Sequence, residues 1–270
     1  MKEFFKENIA YVVLASIAVA LFVVQWLFGD VPVAFFAAPM NLLFAVLWLV
    51  VVVEGFRHRS KSAIVRFLLS AEATYLAIAV AATIAVAMGL QREPTTASWV
   101  VVGGALYVLT TLSLVILRGW RNEGGVRWRF LIMHVGLWLA LVSMFFGAPD
   151  KQILRMQVDC TPSRAAVDER GVNHFLDYEL RLEKFDVERA ENGSPQQFSA
   201  TVAVDDKVVT IAVNSPYSHK FGEDIYLVNY TAEGCVMQIV REPWKVVTVV
   251  GVAMLLIGAM MLCLRGYNKR

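Results

Sequence analysis

Six stretches of about 20 apolar residues, at roughly 9–28, 33–53, 67–90, 98–117, 130–147 and 246–264, constrain this chain more than any motif in it. A helix rises about 1.5 Å per residue, so each stretch is long enough to cross the roughly 30 Å hydrocarbon core of a bilayer. The composition agrees: 57% of the 270 residues are hydrophobic and only 18% are charged, too apolar for a soluble chain of this size. The sequence therefore reads as a membrane protein with six transmembrane α-helices. MKEFFKEN leads into a first apolar stretch that is too long for a signal-peptide core and has no small-residue cleavage site after it, so it reads as a retained span. A formal net charge of +2 points to no nucleic-acid partner; membrane lipid is the partner that composition predicts.

Where the charges sit predicts the orientation. Arg57, Arg59, Lys61 and Arg66 fill the second connection and Arg118, Arg121, Arg127 and Arg129 the fourth. The first connection has no Lys or Arg and the third has only Arg92. By the positive-inside rule both termini and the two basic loops face the cytoplasm, and the tail Arg265, Lys269, Arg270 agrees. The chain is thus expected in the inner (cytoplasmic) membrane in three parts: residues 1–148 with five spans, an extracytoplasmic domain over 149–243, and 244–270 with the sixth span and a cytoplasmic tail.

In that domain the apolar period changes from helical to two. Leu176, Tyr178, Leu180 and Leu182 alternate with Asp177, Glu179, Arg181 and Glu183, the pattern of a strand with one buried face. Phe185 and Val187 continue with shifted parity, which predicts a bulge near Glu183-Lys184. Asn192-Gly193 is a hairpin signal and Asp205-Asp206 a tight turn. Leu154 to Val158, Phe198 to Val204, Val209 to Val213, Tyr226 to Tyr230 and Val236 to Val240 complete about six short strands, an all-β sandwich or barrel between helices five and six.

The fifth span, FLIMHVGLWLALVSMFFG, carries His134. On a helical wheel His134 shares a face with Trp138, Leu141 and Phe145, opposite a stripe of Gly136, Ala140, Ser143 and Gly147 that suits close packing on another span. The histidine face then looks onto lipid, a partner protein or a flat, bulky ligand. Two readings stay open: an imidazole near the interface bonded to water or a backbone carbonyl, or a working ligand. Glu72 on the third span lies at similar depth, about 9 Å above Arg66 against about 7 Å for His134 above Arg129. A carboxylate there either snorkels towards Arg66 or orients the imidazole from a second shell.

His58, His174 and His219 lie in a basic loop and at strand ends, and no HExxH, CxxC, GxGxxG, P-loop or GxSxG occurs, so a catalytic triad has no support. Cys160 and Cys235 both fall in the outer domain, where a Cys160–Cys235 disulfide is the default in an oxidising compartment and a redox-active dithiol the alternative. The disulfide closes a loop of about 75 residues and contributes at most roughly 4 kcal/mol by chain entropy. Cys263, in the sixth span, reads as a small apolar filler.

Three stretches together, HVGLWLALVSMFFG, LRLEKFDVERAENGSPQQFSATVAV with VNSPYSHKFGEDIYLVNY, and REPWKVVTVVGVAMLLIGAMM, resemble the ResB/CcsB family of system II cytochrome c biogenesis. The positions that carry the resemblance are His134 and Gly136, Leu182 and Phe185, Asn214 with Pro216, Gly222, Ile225 and Tyr226, and Pro243. It covers residues 130–264 and does not extend to the first four spans. The resemblance implies a membrane complex that moves haem outward and presents it to the CxxCH motif of apocytochrome c. The covalent step is associated with a CcsA-like partner that has a tryptophan-rich motif, absent here, so this chain would be the non-catalytic half of a haem-attaching synthase. It also implies haem as cofactor, with His134 as a ligand of the haem iron and Trp138 beside it. Two other readings stand against it: a membrane-anchored β-domain that docks a partner without haem, and a transporter accessory subunit in which Glu72 and His134 form a proton path.

The orientation is testable by single cysteines in a background without the native ones. At Ser60 or Asn122 a membrane-impermeant thiol reagent should react only from the cytoplasmic side, and at Asn192 only from outside; labelling of Asn192 from the cytoplasm would invert the assignment.

Overall fold

A computed structural model describes residues 9–90, 97–189, 195–231 and 234–265. Six long helices are present among them: α1 (Ile9–Phe28), α2 (Met40–Arg57), α3 (Ala71–Leu90), α4 (Trp99–Gly119), α5 (Trp128–Gly147) and α6 (Lys245–Arg265). All six are long and apolar enough to span a bilayer. The chain is a multi-pass membrane protein. It divides into two compact units, residues 1–149 with 247–270, and residues 150–246.

Two helix starts differ from the sequence expectation. The second span was expected from residue 33, but Val33–Phe36 forms a 3₁₀ turn and α2 begins after Pro39. Proline lacks an N–H and disfavours the helical conformation in the residue before it, so the chain can only enter the helix there. The third apolar stretch is broken at Leu69-Ser70 into a short helix, Ala63–Leu68, and α3. Each piece has its own hydroxyl cap: Ser62 accepts from the Val65 N–H at 3.3 Å and Ser70 from the Ala73 N–H at 3.2 Å. Exposed aromatics mark both ends of the bundle, Trp26 and Phe28 where α1 ends and Trp120 and Trp128 between α4 and α5, as membrane interfaces favour.

Within the helical unit α4 is central and packs on α1, α2, α3 and α5. Tyr107 on α4 donates its hydroxyl to the Ala73 carbonyl of α3 at 3.0 Å. The small-residue face of α5 packs on α6, as its spacing predicts. A Cβ on Gly136 would stand 2.8 Å from the Gly251 carbonyl oxygen, and one on Gly251 would stand 2.7 Å from the Ala140 nitrogen. Ser143 and Thr248 join their hydroxyls at 2.8 Å across the same seam. Glycine here permits backbone contact that no other residue allows, and dispersion at that range holds helices together where lipid removes the hydrophobic drive.

The second unit is all-β, with β1 (Gln152–Val158), β2 (Ser163–Asp168), β3 (Asn173–Arg189), β4 (Pro195–Val204), β5 (Lys207–Ala212), β6 (Tyr217–Lys220), β7 (Glu223–Tyr230) and β8 (Cys235–Arg241). They form one antiparallel sheet in the order β5-β4-β3-β2-β1-β8-β7-β6. The two edge strands are consecutive in sequence, and an Ala212–Ser215 bridge ties the turn between them, so the sheet curls on itself. Its inner face is one apolar cluster that includes Leu154, Met156, Val158, Leu176, Tyr178, Leu180, Val202, Ile211, Ile225, Met237 and Ile239. The bulge at Glu183 is present: Leu182 pairs with Val202 and Lys184 with Thr201, which leaves Glu183 unmatched. Asp205, with φ +48°, makes the tight β4–β5 turn. The Asn192-Gly193 turn lies outside the described residues. Two strands, β2 and β6, exceed the six expected. Ser-Arg-Ala-Ala-Val-Asp and Tyr-Ser-His-Lys are short and poor in β-branched residues, and their neighbours, not their own propensity, make them strands.

Polar contacts fasten the ends of this unit to each other. Trp244 donates its indole N–H to Asp150 at 2.7 Å, and Lys151 pairs with Glu242 at 2.6 Å. Arg241 pairs with the buried Glu223, and Lys245 with the buried Asp224. Burial opposes ionisation of the Asp224 carboxyl, but the bonds from Lys245 and Ser218 outweigh it and hold the group below its usual range.

The α5–α6 seam predicts a sharp asymmetry. Gly136→Leu should destabilise the purified protein by about 1–3 kcal/mol through overpacking, seen as a lower thermal midpoint, whereas Leu137→Ala on the exposed side should change it little.

Candidate functional site

His134 lies one and a half turns into α5, half-buried. Its Nδ1 is 2.8 Å from the carbonyl oxygen of Phe130, one turn earlier. A carbonyl can only accept, so Nδ1 carries a proton, and in the neutral ring Nε2 keeps the lone pair. The imidazole also stacks on the Phe130 ring, with centroids 3.9 Å apart and planes inclined by 25°. Phe130 also meets the Arg127 guanidinium, 4.8 Å from the ring centroid. The Phe130 carbonyl and ring, one turn earlier on α5, together hold the imidazole in place.

Trp138, expected beside a ligand, is held by neighbouring helices. Its indole N–H donates to the Ser113 hydroxyl of α4 at 2.7 Å, and its ring stacks on Trp48 of α2 at 6.3 Å. Trp48 in turn donates to Thr110 at 3.0 Å. Trp138 therefore belongs to a polar and aromatic seam among α2, α4 and α5. Leu137, three residues after His134, is exposed on α5, and Met144 is exposed about three turns further along the helix than His134. Sequence reasoning passed over Trp48, Thr110 and Ser113; their signal was three hydroxyls, Thr110, Thr111 and Ser113, within one turn of an otherwise apolar span.

Glu72 and His134 take different partners. The Glu72 carboxylate accepts the Tyr11 hydroxyl of α1 at 2.5 Å, and the orienting role expected of it is filled by the Phe130 carbonyl. The remaining histidines are also held locally. His58 sits 3.1 Å from the Glu54 carbonyl. His174 Nε2 is 3.1 Å from Asp168, whose other oxygen accepts the Arg170 and Val172 N–H groups at 2.9 Å each. The Val172 bond first, then the His174 bond, hold the Asp168 carboxyl below its usual range. His219 stacks on the buried Tyr178 at 4.1 Å. Burial and the facing Glu223 carboxylate raise the Tyr178 phenol, so it stays neutral. No group of three or more potential metal ligands occurs among the described residues.

Cys160 and Cys235, expected as a disulfide, are both free thiols in the structure. Cys160 is exposed in the turn after β1. Cys235 is fully buried opposite Val158, with its sulfur 3.7 Å from the Val158 carbonyl oxygen, and burial pushes its thiol up to about 11.

Residues 125–239, from just before α5 into β8, match the model of the ResB-like family. This segment is ResB-like. It contains His134, both outer cysteines and nearly the whole β-sheet, and it covers less than half of the chain. The resemblance read from the sequence is borne out over that range. No curated protein matches the chain. Among solved structures, "Cytochrome c Heme Lyase CcmF" aligns with a TM-score of 0.39 at 9% identity, over 69% of this chain and 33% of that one. The present chain thus spans about a third of that protein's length, and so loose a likeness carries no weight for function.

The free thiols can be checked by peptide mapping without reductant. Native protein should be alkylated rapidly at Cys160 and at Cys235 only after unfolding, since the buried thiol is neutral and shielded. A crosslinked Cys160–Cys235 peptide would instead restore the disulfide.

Proposed function

We propose that this protein is a non-catalytic membrane subunit of a cytochrome c biogenesis complex, binding haem within the membrane through His134 and serving its presentation on the outer side. One observation carries the reading most: the Phe130 carbonyl holds the Nδ1 proton, which leaves Nε2 as the donor atom that a haem iron takes from histidine. His134 would therefore hold a haem iron through its Nε2. Bound haem would supply the redox-active iron and the vinyl groups that become attached to a cytochrome.

The residues of this chain do the holding. Phe130 fixes the ring, and the Trp138, Trp48, Ser113 seam keeps α5 from rotating about its axis. Exposed Leu137, close to the imidazole along α5, and Met144 further along the helix leave apolar surface for a second protein to cover. That protein is a CcsA-like membrane partner with a tryptophan-rich motif, and the substrate is apocytochrome c, met by the β-unit on the extracytoplasmic side of the inner membrane. The ResB-like match over residues 125–239 supports this assignment.

Co-purified with its partner, the protein should show a Soret band that His134→Ala removes or strongly reduces. Added imidazole should restore part of it, because the lost donor is then supplied in solution. Trp138→Phe, which keeps the stack but loses the Ser113 bond, should weaken the band less, and His58→Ala should leave it unchanged. A band unaltered by His134→Ala would remove haem from the reading and favour a β-domain that docks a partner without it.

A further inference from the structure

One rim of the β-unit exposes large apolar side chains that its own fold does not need. Phe221, at the β6–β7 turn, is 71% exposed, Phe175 near the start of β3 is 79% exposed, and Val172 in the β2–β3 turn is 52% exposed. Soluble β-domains place polar residues in such turns, and a cluster of bare aromatics marks a surface that meets something apolar.

The three residues share one end of the sheet. Asp177, two residues after Phe175, pairs with Lys220, which precedes Phe221, and stands 4.0 Å from Arg241. The β2–β3 turn that holds Val172 begins at Asp168, which pairs with Leu154 near the start of β1. This is also the end at which the chain passes into its spans. Gly222, beside Phe221, accepts the Glu242 N–H at 2.6 Å, and Glu242 lies three residues before Lys245, the first residue of α6. A Cβ on Gly222 would stand 2.6 Å from the Glu242 oxygen, and its φ is +79°, so the turn is built to lie against the chain at that point. β1 likewise begins five residues after α5 ends. Trp244, an amphipathic ring of the kind enriched at membrane surfaces, sits in the same short stretch.

The geometry points to this rim as a membrane anchor: Phe221, Phe175 and Val172 dip into the headgroup and upper acyl layer of the bilayer that α6 enters. The occupant is lipid and not a second protein, because the chain itself keeps the Phe221 turn within three or four residues of the start of a span. Arg170, in the same turn as Val172, is exposed, and its cationic head can snorkel to phosphate while the rings sit deeper; Lys220 is held by Asp177. The arrangement is that of an interfacial wedge, with apolar tips and one cationic shoulder at Arg170.

Hydroxyl-radical footprinting of the wild-type protein, one copy per phosphatidylcholine/phosphatidylglycerol nanodisc, tests this without any substitution. Phe175 and Phe221 should oxidise several-fold more slowly than Tyr230, which lies at the far end of β7 and is less exposed, at 42%. Oxidation of the two phenylalanines at or above the Tyr230 rate would overturn the anchor. A second readout uses nitroxides at Phe221→Cys and, as the far-rim control, Ser215→Cys, in a Cys160→Ser, Cys235→Ala, Cys263→Ala background. The label at 221 should collide preferentially with oxygen and that at 215 with a water-soluble nickel chelate. Equal preference for nickel at both positions, or low access to both reagents at 221 as against protein, would rule lipid out.

Discussion

The antiparallel approach of the chain to itself at residues 136–143 and 248–251 is the constraint on which the rest of the structure depends. Gly136, Ala140 and Gly251 bring two backbones into contact, and the segment between them is the whole β-unit. Within that unit the first and last strands, β1 and β8, are again neighbours, in register from Gln152 with Arg241 to Val158 with Cys235. The same two points in the sequence are thus brought together twice, once by small residues in lipid and once by a hydrogen-bonded ladder. An insertion closed in this way can vary in its middle strands without disturbing the spans, since both of its ends are fixed by pairing close to where they begin.

The spans were legible because hydropathy over some 20 residues is a sum, and sums survive local exceptions. Their boundaries were less so. Pro39 and Ser70 interrupt apolar runs without lowering their hydropathy, so the pattern continued where the backbone could not. In the β-unit, strict alternation disclosed the long β3, and a parity slip disclosed its bulge. The strands that escaped notice, β2 and β6, contribute few side chains to the core and are held by what lies beside them. A sequence shows what an element brings to the core and hides what the core brings to an element.

The same distinction runs through the candidate site. The partner of His134 was within reach of sequence reasoning, for residues i and i−4 always meet on a helix, and Phe130 supplies both the carbonyl and a ring for the imidazole. What could not be read was which helix lies next to which. Glu72 and His134 share a depth, but α1 supplies Tyr11 to the carboxylate. Trp138 shares a face with His134, but 40° of helical rotation turns it from the free side towards Trp48 and Ser113. Depth follows from counting residues, whereas azimuth follows from packing.

The pairing of β1 with β8 also sets an order of events in the making of the protein. β1 is synthesised about 80 residues before the strand that completes its far side, so Leu154, Met156 and Val158 must wait, half-covered, while the whole insertion emerges. β8 is followed at once by α6, the last apolar span. Closure of the sheet and insertion of the final helix therefore fall due within the same few seconds of elongation. A nascent chain stalled just before β8 would hold an open, adhesive strand edge while α6 is still unmade, which makes that short interval the point at which quality control has most to recognise.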